Sequence, residues 1–271
     1  MTAYELYREA RLDEAIAAAL QKVKAAPTDV DARLLLCDLL CFDNQLERAD
    51  RQLDVVIQQD SGLVAGIGLY RQLIRAEIAR KEVFESGRVP EFLNGATDVL
   101  KLHVQAFVAL REGAASEAGD LLRQAEELRP PVRGECDGES FADLRDVDDL
   151  TASFLEVLTS GGKYYWVGWE RIEKLEFKPP ALLRDLLWRQ AEIVVRGGPD
   201  ALVYVPVLYQ WSHRSQDPEL RLGRRTDWRE MPGGPIAGVG QRTLLVGEGD
   251  KSLLSIGTIS FSTGAASAST G

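Results

Sequence analysis

Arg11-Leu12-Asp13-Glu14-Ala15 recurs as Gln45-Leu46-Glu47-Arg48-Ala49, 34 residues further on. That is the period of the tetratricopeptide helix pair. The constraint is severe, because such a unit buries its apolar face only by stacking on a neighbour. A weaker echo, Gly113-Ala114-Ala115-Ser116-Glu117-Ala118, puts Ala118 69 residues after Ala49, about two more periods. Pro130 follows Ala118 by 12 residues, as Pro27 follows Ala15. The small Ala lets paired helices approach closely, and Pro ends the second helix of each pair.

The first half reads as helix throughout. Leu12, Ile16, Leu20 and Val23 make a helical stripe, and Thr28 or Asp29 can cap the next helix. Residues 63–87 read as one long helix with a stripe of Leu63, Ile67, Tyr70, Ile74 and Ile78, stopped at Gly87. Another helix is expected over 97–113. The pattern predicts two recognisable tetratricopeptide-like units around a divergent pair, not a regular solenoid.

Around 130–150 the texture changes to prolines, glycines and acids, which reads as an acidic linker. Asp148 or Asp149 is expected to cap a short helix over "LTASFLEVLTS". Beyond 161 the chain reads as short strands such as "KYYWVGW", "IEKLEFK", "AEIVVRG", "ALVYVPVLY", "RTLLVGE" and "LLSIGTISF". "RGGPD" and "GEGD" supply turns between them. The predicted fold class is therefore α+β. A tetratricopeptide-like helical domain (1–130) precedes an acidic linker (131–150), a mostly antiparallel β domain (151–262; a small barrel or sheet) and a disordered tail (263–271).

Charge narrows the function. Net charge is −10, divided as −6 over 1–130, −5 over 131–150 and +1 over 151–271. An acidic first half repels phosphate backbones and argues against nucleic acid as a partner. No apolar run reaches 18 residues and no secretory signal opens the chain, so neither membrane nor export is expected. Three cysteines do not make a disulfide framework and fit the cytoplasm.

No Walker loop, nucleophile elbow or zinc helix occurs, so no catalytic, cofactor-binding or metal-binding residues are expected. Cys37 and Cys41 share a helix face and read as core residues; a metal pair with His103 is the rival reading. Asp143, Asp146, Asp148 and Asp149 lack the spacing of a calcium loop and read as a solvated linker with one helix cap. The arginines of "GRRTDWRE" read either as a dock for an acidic partner or as internal ion pairs with Asp227 or Glu230. In "KYYWVGW", strand alternation sends Tyr164 and Trp166 one way and Tyr165 and Trp169 the other. Neither face is then suited to open water. One belongs in the core, the other against the helical domain or a partner.

"GGKYYWVGWERIEKLEFKPPALLRDLLW" (161–188) resembles the ImpE family, also called TagJ, of bacterial type VI secretion clusters. The family pattern G-x-Y-Y-W-V-P, E-R-I, P-P-x-x-L-R-D-L-x-W is matched from Gly162 through Trp188, with Gly168 standing where Pro is usual. "YRQLIRAE" (70–77), "DGESFADLRDVDD" (137–149), "RRTDW" (224–228) and "GQRTLL" (240–245) are similar too. "LYQWSH" (208–213) departs from the family's usual R-Y-P-G-S-like loop.

The resemblance implies a non-enzymatic adaptor. It would bind the N-terminal segment of the small contractile-sheath subunit and be linked to the AAA+ unfoldase that recycles sheath. Tetratricopeptide-like pairs accept such segments. The expected partner-binding residues are Tyr70, Arg71 and Arg75 of the long helix, with Trp169 and Arg171 of the β domain. The alternative is a scaffold whose function is oligomerisation, without sheath-peptide binding.

Overall fold

The structure, a computed structural model, describes residues 1–59 and 61–262; the tail at 263–271, expected to be disordered, lies outside the described residues. Seven helices come first: α1 (Ala3–Arg8), α2 (Leu12–Ala25), α3 (Val30–Phe42), α4 (Leu46–Gln59), α5 (Val64–Ser86), α6 (Asp98–Arg111) and α7 (Ala115–Leu128).

The repeat is a repeated turn. Between α1 and α2, α3 and α4, and α6 and α7, one residue is left-handed: Ala10 (φ 60°), Asn44 (φ 53°) and Gly113 (φ 79°). The next N–H then reaches back to the end of the first helix: Arg11 to Leu6 O (3.0 Å), Gln45 to Leu40 O (2.8 Å) and Ala114 to Ala109 O (2.9 Å). This is the Schellman closure. One turn further on, Ala15, Ala49 and Ala118 are fully buried where the paired helices meet. The expected divergent pair is resolved differently, since α6 pairs with α7 and α5 stands alone between the second and third pairs.

α5 ends at Gly87 (φ 83°), as its sequence requires. Its burial extends well beyond the predicted stripe to Ala76, Glu77, Ala79, Arg80, Val83 and Phe84. The reason is position: α5 lies between α4 and the strands β5 and β6.

The strands are β1 (Glu91–Phe92), β2 (Gly134–Cys136), β3 (Glu139–Phe141), β4 (Leu144–Asp146), β5 (Phe154–Thr159), β6 (Tyr164–Gly168), β7 (Ile172–Phe177), β8 (Trp188–Val195), β9 (Asp200–Pro206), β10 (Thr226–Glu230), β11 (Ile236–Gly240), β12 (Thr243–Val246), β13 (Gly249–Ser252) and β14 (Thr258–Phe261). Nine form one sheet in the order β1-β6-β5-β9-β8-β7-β14-β2-β3. Its pairs are antiparallel except β1 with β6. β13-β12-β4 and the hairpin β10-β11 are separate. A short helix, α8 (Pro218–Arg221), precedes β10. The α+β reading is what the chain adopts.

Two local expectations are corrected. Residues 131–150 are not a detached linker, since they supply β2, β3 and β4. Several of their acids bind backbone or arginine: Asp137 Oδ1 accepts from Thr258 N (2.7 Å), and Asp143 accepts from Arg129 and Val132 N. The stretch "LTASFLEVLTS" is not a helix but leads into β5. Its apolar run is hydrogen-bonded on both sides, to β6 and β9, and buried on both faces, a setting that suits a central strand.

Ala10 holds a conformation that costs an L-residue about 1–2 kcal/mol. Ala10→Gly relieves it, offset by about 0.4–1 kcal/mol of extra unfolded-chain entropy. The expected outcome is a net gain near 0.5–1 kcal/mol, read as a raised urea midpoint with unchanged m-value.

Candidate functional site

The helices and the sheet meet across a seam of buried charge. Glu156 of β5 is fully buried. Its carboxylate takes two hydrogen bonds from Arg80 of α5, Nε at 2.8 Å and Nη2 at 3.1 Å. It also accepts from Arg242 Nη2 and the Tyr164 hydroxyl. Arg80 continues to Glu77 (2.9 Å) and the Leu208 carbonyl (3.0 Å), and Trp188 Nε1 donates to Glu77 (2.9 Å). Arg242 continues to Asp146 (2.6 Å), which also accepts from Tyr209 OH (2.8 Å) and Thr151 Oγ1 (2.9 Å). The seam thus ties α5 to β4, β5, β6, β8 and the 208–213 loop.

Burial alone would raise the Glu156 carboxyl, but Arg80 and then Arg242 overcome it and hold it at about 2. Asp148 is pushed the other way, by burial and by Asp146 beside it. His103 is buried and held down at about 4 by desolvation. It fits as the neutral Nδ1–H form, donating to Leu150 O (3.0 Å) and accepting from Ser153 Oγ at Nε2 (2.9 Å). It therefore fastens α6 to the segment before β5 and meets neither Cys37 nor Cys41. Those thiols lie in the helical core, near Ala49 O and Tyr70 OH, both at 3.7 Å. Among the described residues no three His, Cys, Asp or Glu side chains are placed to hold a metal ion, and no helix is long and apolar enough to cross a membrane.

The five expected partner-binding residues do not form one cluster. Tyr70 is buried; its hydroxyl donates to Asp38 (2.6 Å), its ring meets Trp188 edge-on, and Arg184 lies over it. Arg71 forks onto Asp50 (2.7 and 2.9 Å) and reaches Asp54 (2.8 Å), joining α5 to α4. Arg75 is exposed and makes no ion pair among the described residues. Trp169 is buried, with its indole N–H on Ala152 O (2.9 Å). Arg171 is half-exposed, and its Nε is shielded with no hydrogen-bond partner. Arg75 and Arg171 are thus the two cations of the five without an ion pair among the described residues.

The arginines of "GRRTDWRE" act internally, though not through Asp227 or Glu230. Arg224 binds the Tyr7 and Arg8 carbonyls at the end of α1 and lies over the Tyr7 ring, and Arg225 pairs with Asp217. Arg221 of α8 bridges Asp13 and Asp43.

A groove of about 680 Å³ opens beside Trp169, lined by Pro130, Val132, Arg133, Arg196 and Phe261 among others. Arg133 and Arg196 escaped the sequence reading because no local pattern distinguishes a lone strand-end arginine. Glu156 carried a signal that went unread: a charged residue inside an otherwise apolar strand run demands a buried counter-ion.

Helix pairs docked through buried charge onto an open antiparallel sheet define a two-layer α+β class. The crystal structure of protein VPA1032 from Vibrio parahaemolyticus shares it, with a TM-score of 0.90, 27% identity, and coverage of 96% of this chain and 97% of that one. The chain belongs to the ImpE family. The family model described as "ImpE protein" matches residues 138–260. Over 261 residues, 96% of this chain and 91% of the relative, it is 32% identical to the type VI secretion system accessory component TagJ of Pseudomonas aeruginosa. It is accordingly a type VI secretion accessory component.

Removing one partner of a buried ion pair strands the others. Glu156→Gln is expected to lower unfolding free energy by about 3–5 kcal/mol in urea titration, against less than about 0.5 for Arg75→Ala.

His103 gives a pH test. Its folded value of about 4 lies below its ordinary 6.5, so between them only the unfolded chain binds the proton. Stability is complete above pH 6.5 and falls toward pH 4, by up to about 3 kcal/mol. His103→Gln is expected to remove that loss when the urea midpoints of the two proteins are compared at pH 7 and pH 4.5.

Proposed function

We propose that the protein is a non-enzymatic cytoplasmic adaptor that binds the N-terminal segment of the small contractile-sheath subunit and is linked to the AAA+ unfoldase. The near full-length likeness to an accessory component carries this reading. The two helix pairs α1–α2 and α3–α4, packed in succession, suit it, because such stacks present surfaces for peptide segments. In this reading Arg75 and Arg171 contact the segment directly. Tyr70, Arg71 and Trp169 hold the surfaces that present them, through the internal bonds described above.

The test is titration of the full protein with a labelled peptide from the N-terminus of the small sheath subunit encoded beside it. Saturable binding, weakened several-fold by Arg75→Ala or Arg171→Ala, is expected. Tyr70→Phe and Trp169→Phe are expected to change stability more than affinity. No binding at tens of micromolar would remove the sheath-segment mechanism and favour the scaffold reading, which a concentration-dependent mass would then support.

A further inference from the structure

Most cations of the β layer are neutralised within the chain, as Lys178 is by Glu192 and Arg214 by Glu85. Six have no carboxylate within 4.0 Å among the described residues: Arg189 binds backbone carbonyls, Arg184 and Arg229 lie over the Tyr70 and Trp211 rings, and the other three are Arg133, Arg171 and Arg196. These last three are neighbours. Arg196 N donates to Arg171 O (2.8 Å), Arg196 Nη2 donates to the Phe261 and Ser262 carbonyls (2.8 and 3.0 Å), and Ser262 N donates to Arg133 O (2.8 Å).

Arg133 and Arg196 line the groove beside Trp169, and Arg171 adjoins it through that backbone bond. Pro130 and Pro131, both exposed, give the groove an apolar rim, backed by the largely buried Val132, Ile172 and Phe261. The single acidic residue lining it, Glu170, is folded back onto Gly168: a Cβ there would sit 2.5 Å from both carboxylate oxygens. Burial further disfavours its charge, against the opposing pull of Arg171.

We infer that this groove docks an acidic peptide segment, its carboxylates meeting Arg133, Arg171 and Arg196 and its intervening apolar residues meeting Pro130, Pro131 and the exposed edges of Val132 and Phe261. Clustered unpaired arginines around an apolar lining favour this ligand, because guanidinium forks match carboxylates while the lining takes side chains. A polyphosphate backbone would leave the lining unused and would approach a chain of net charge −10. The inference shares Arg171 with the sheath-segment reading but holds whichever protein supplies the acidic segment, and Arg133 belongs to it alone.

The probe is a fluorescein-labelled twelve-residue peptide alternating Glu with Val and Pro, followed by anisotropy on the full protein. Its comparators are the same peptide with Lys for Glu and a dodecathymidylate. Saturable, salt-sensitive binding of the Glu peptide alone is expected. Arg133→Glu with Arg171→Glu should weaken it at least about tenfold, and Arg133→Lys with Arg171→Lys should leave it within a few-fold. Circular dichroism checks the fold, and Arg133→Glu alone, an exposed change, serves if the double variant unfolds. Equal binding of the Lys peptide, or affinity untouched by reversal, overturns the inference. Tighter binding of the oligonucleotide, lost in the same variant, would reassign the groove to polyphosphate.

Discussion

The ion pair between Arg80 and Glu156 is the contact on which the rest of the architecture depends. A carboxylate with no exposure to water is unstable unless matched, because its lost hydration is worth several kcal/mol. Here the match comes from both layers. Arg80 belongs to the helices; Arg242, Tyr164 and the strand carrying Glu156 belong to the sheet. Neither layer alone satisfies the carboxylate, so the network favours one relative placement of helices and sheet. An apolar interface of the same area would tolerate sliding more readily. A directional fork such as Arg80 on Glu156 does not, since small displacements break one of its two bonds.

Around this seam lies a ring of weaker ties with the same logic. Arg221 and Arg224 hold the ends of the first two helix pairs, and His103 holds the third to the segment before β5. Arg221 and Arg224 use polar atoms beside the first two repeated turns, whereas His103 acts from the middle of α6. The repeat therefore supplies more than helices: its turn ends are where the β layer attaches. That explains why an irregular array of three pairs, interrupted by the long α5, is stable without a regular solenoid.

The helical half was largely legible in the sequence, and the reason is physical. Ala15, Ala49 and Ala118 mark local close approach, and Gly87 marks a left-handed stop, so both are encoded within one helical pair or turn. The failures share a different cause. The acids at 137–149 look solvated until their partners, Thr258, Arg129 and Arg242, are brought from distant parts of the chain. "SFLEVLTS" can be helix or strand until β6 and β9 flank it. Tyr70, Arg71 and Trp169 look like free recognition residues for the same reason, because the Asp38, Asp50 and Ala152 that engage them are not apparent locally. Long-range pairing is what a single sequence conceals.

The same accounting separates structural charge from available charge. The chain is acidic overall, yet its strongest internal contacts consume arginines: Arg80, Arg242, Arg71, Arg129 and Arg221 each face carboxylates. Other arginines also lack a carboxylate partner among the described residues, Arg75, Arg184, Arg189 and Arg229 among them, but they are dispersed along the chain. Arg133, Arg171 and Arg196 are left so within a short stretch of surface and beside one groove. Scattered unpaired arginines would be indifferent to folding and to binding. Gathered ones can offer a carboxylate-bearing partner more than one guanidinium fork. In a type VI secretion accessory component, such a cluster is better suited to recognition than to stability.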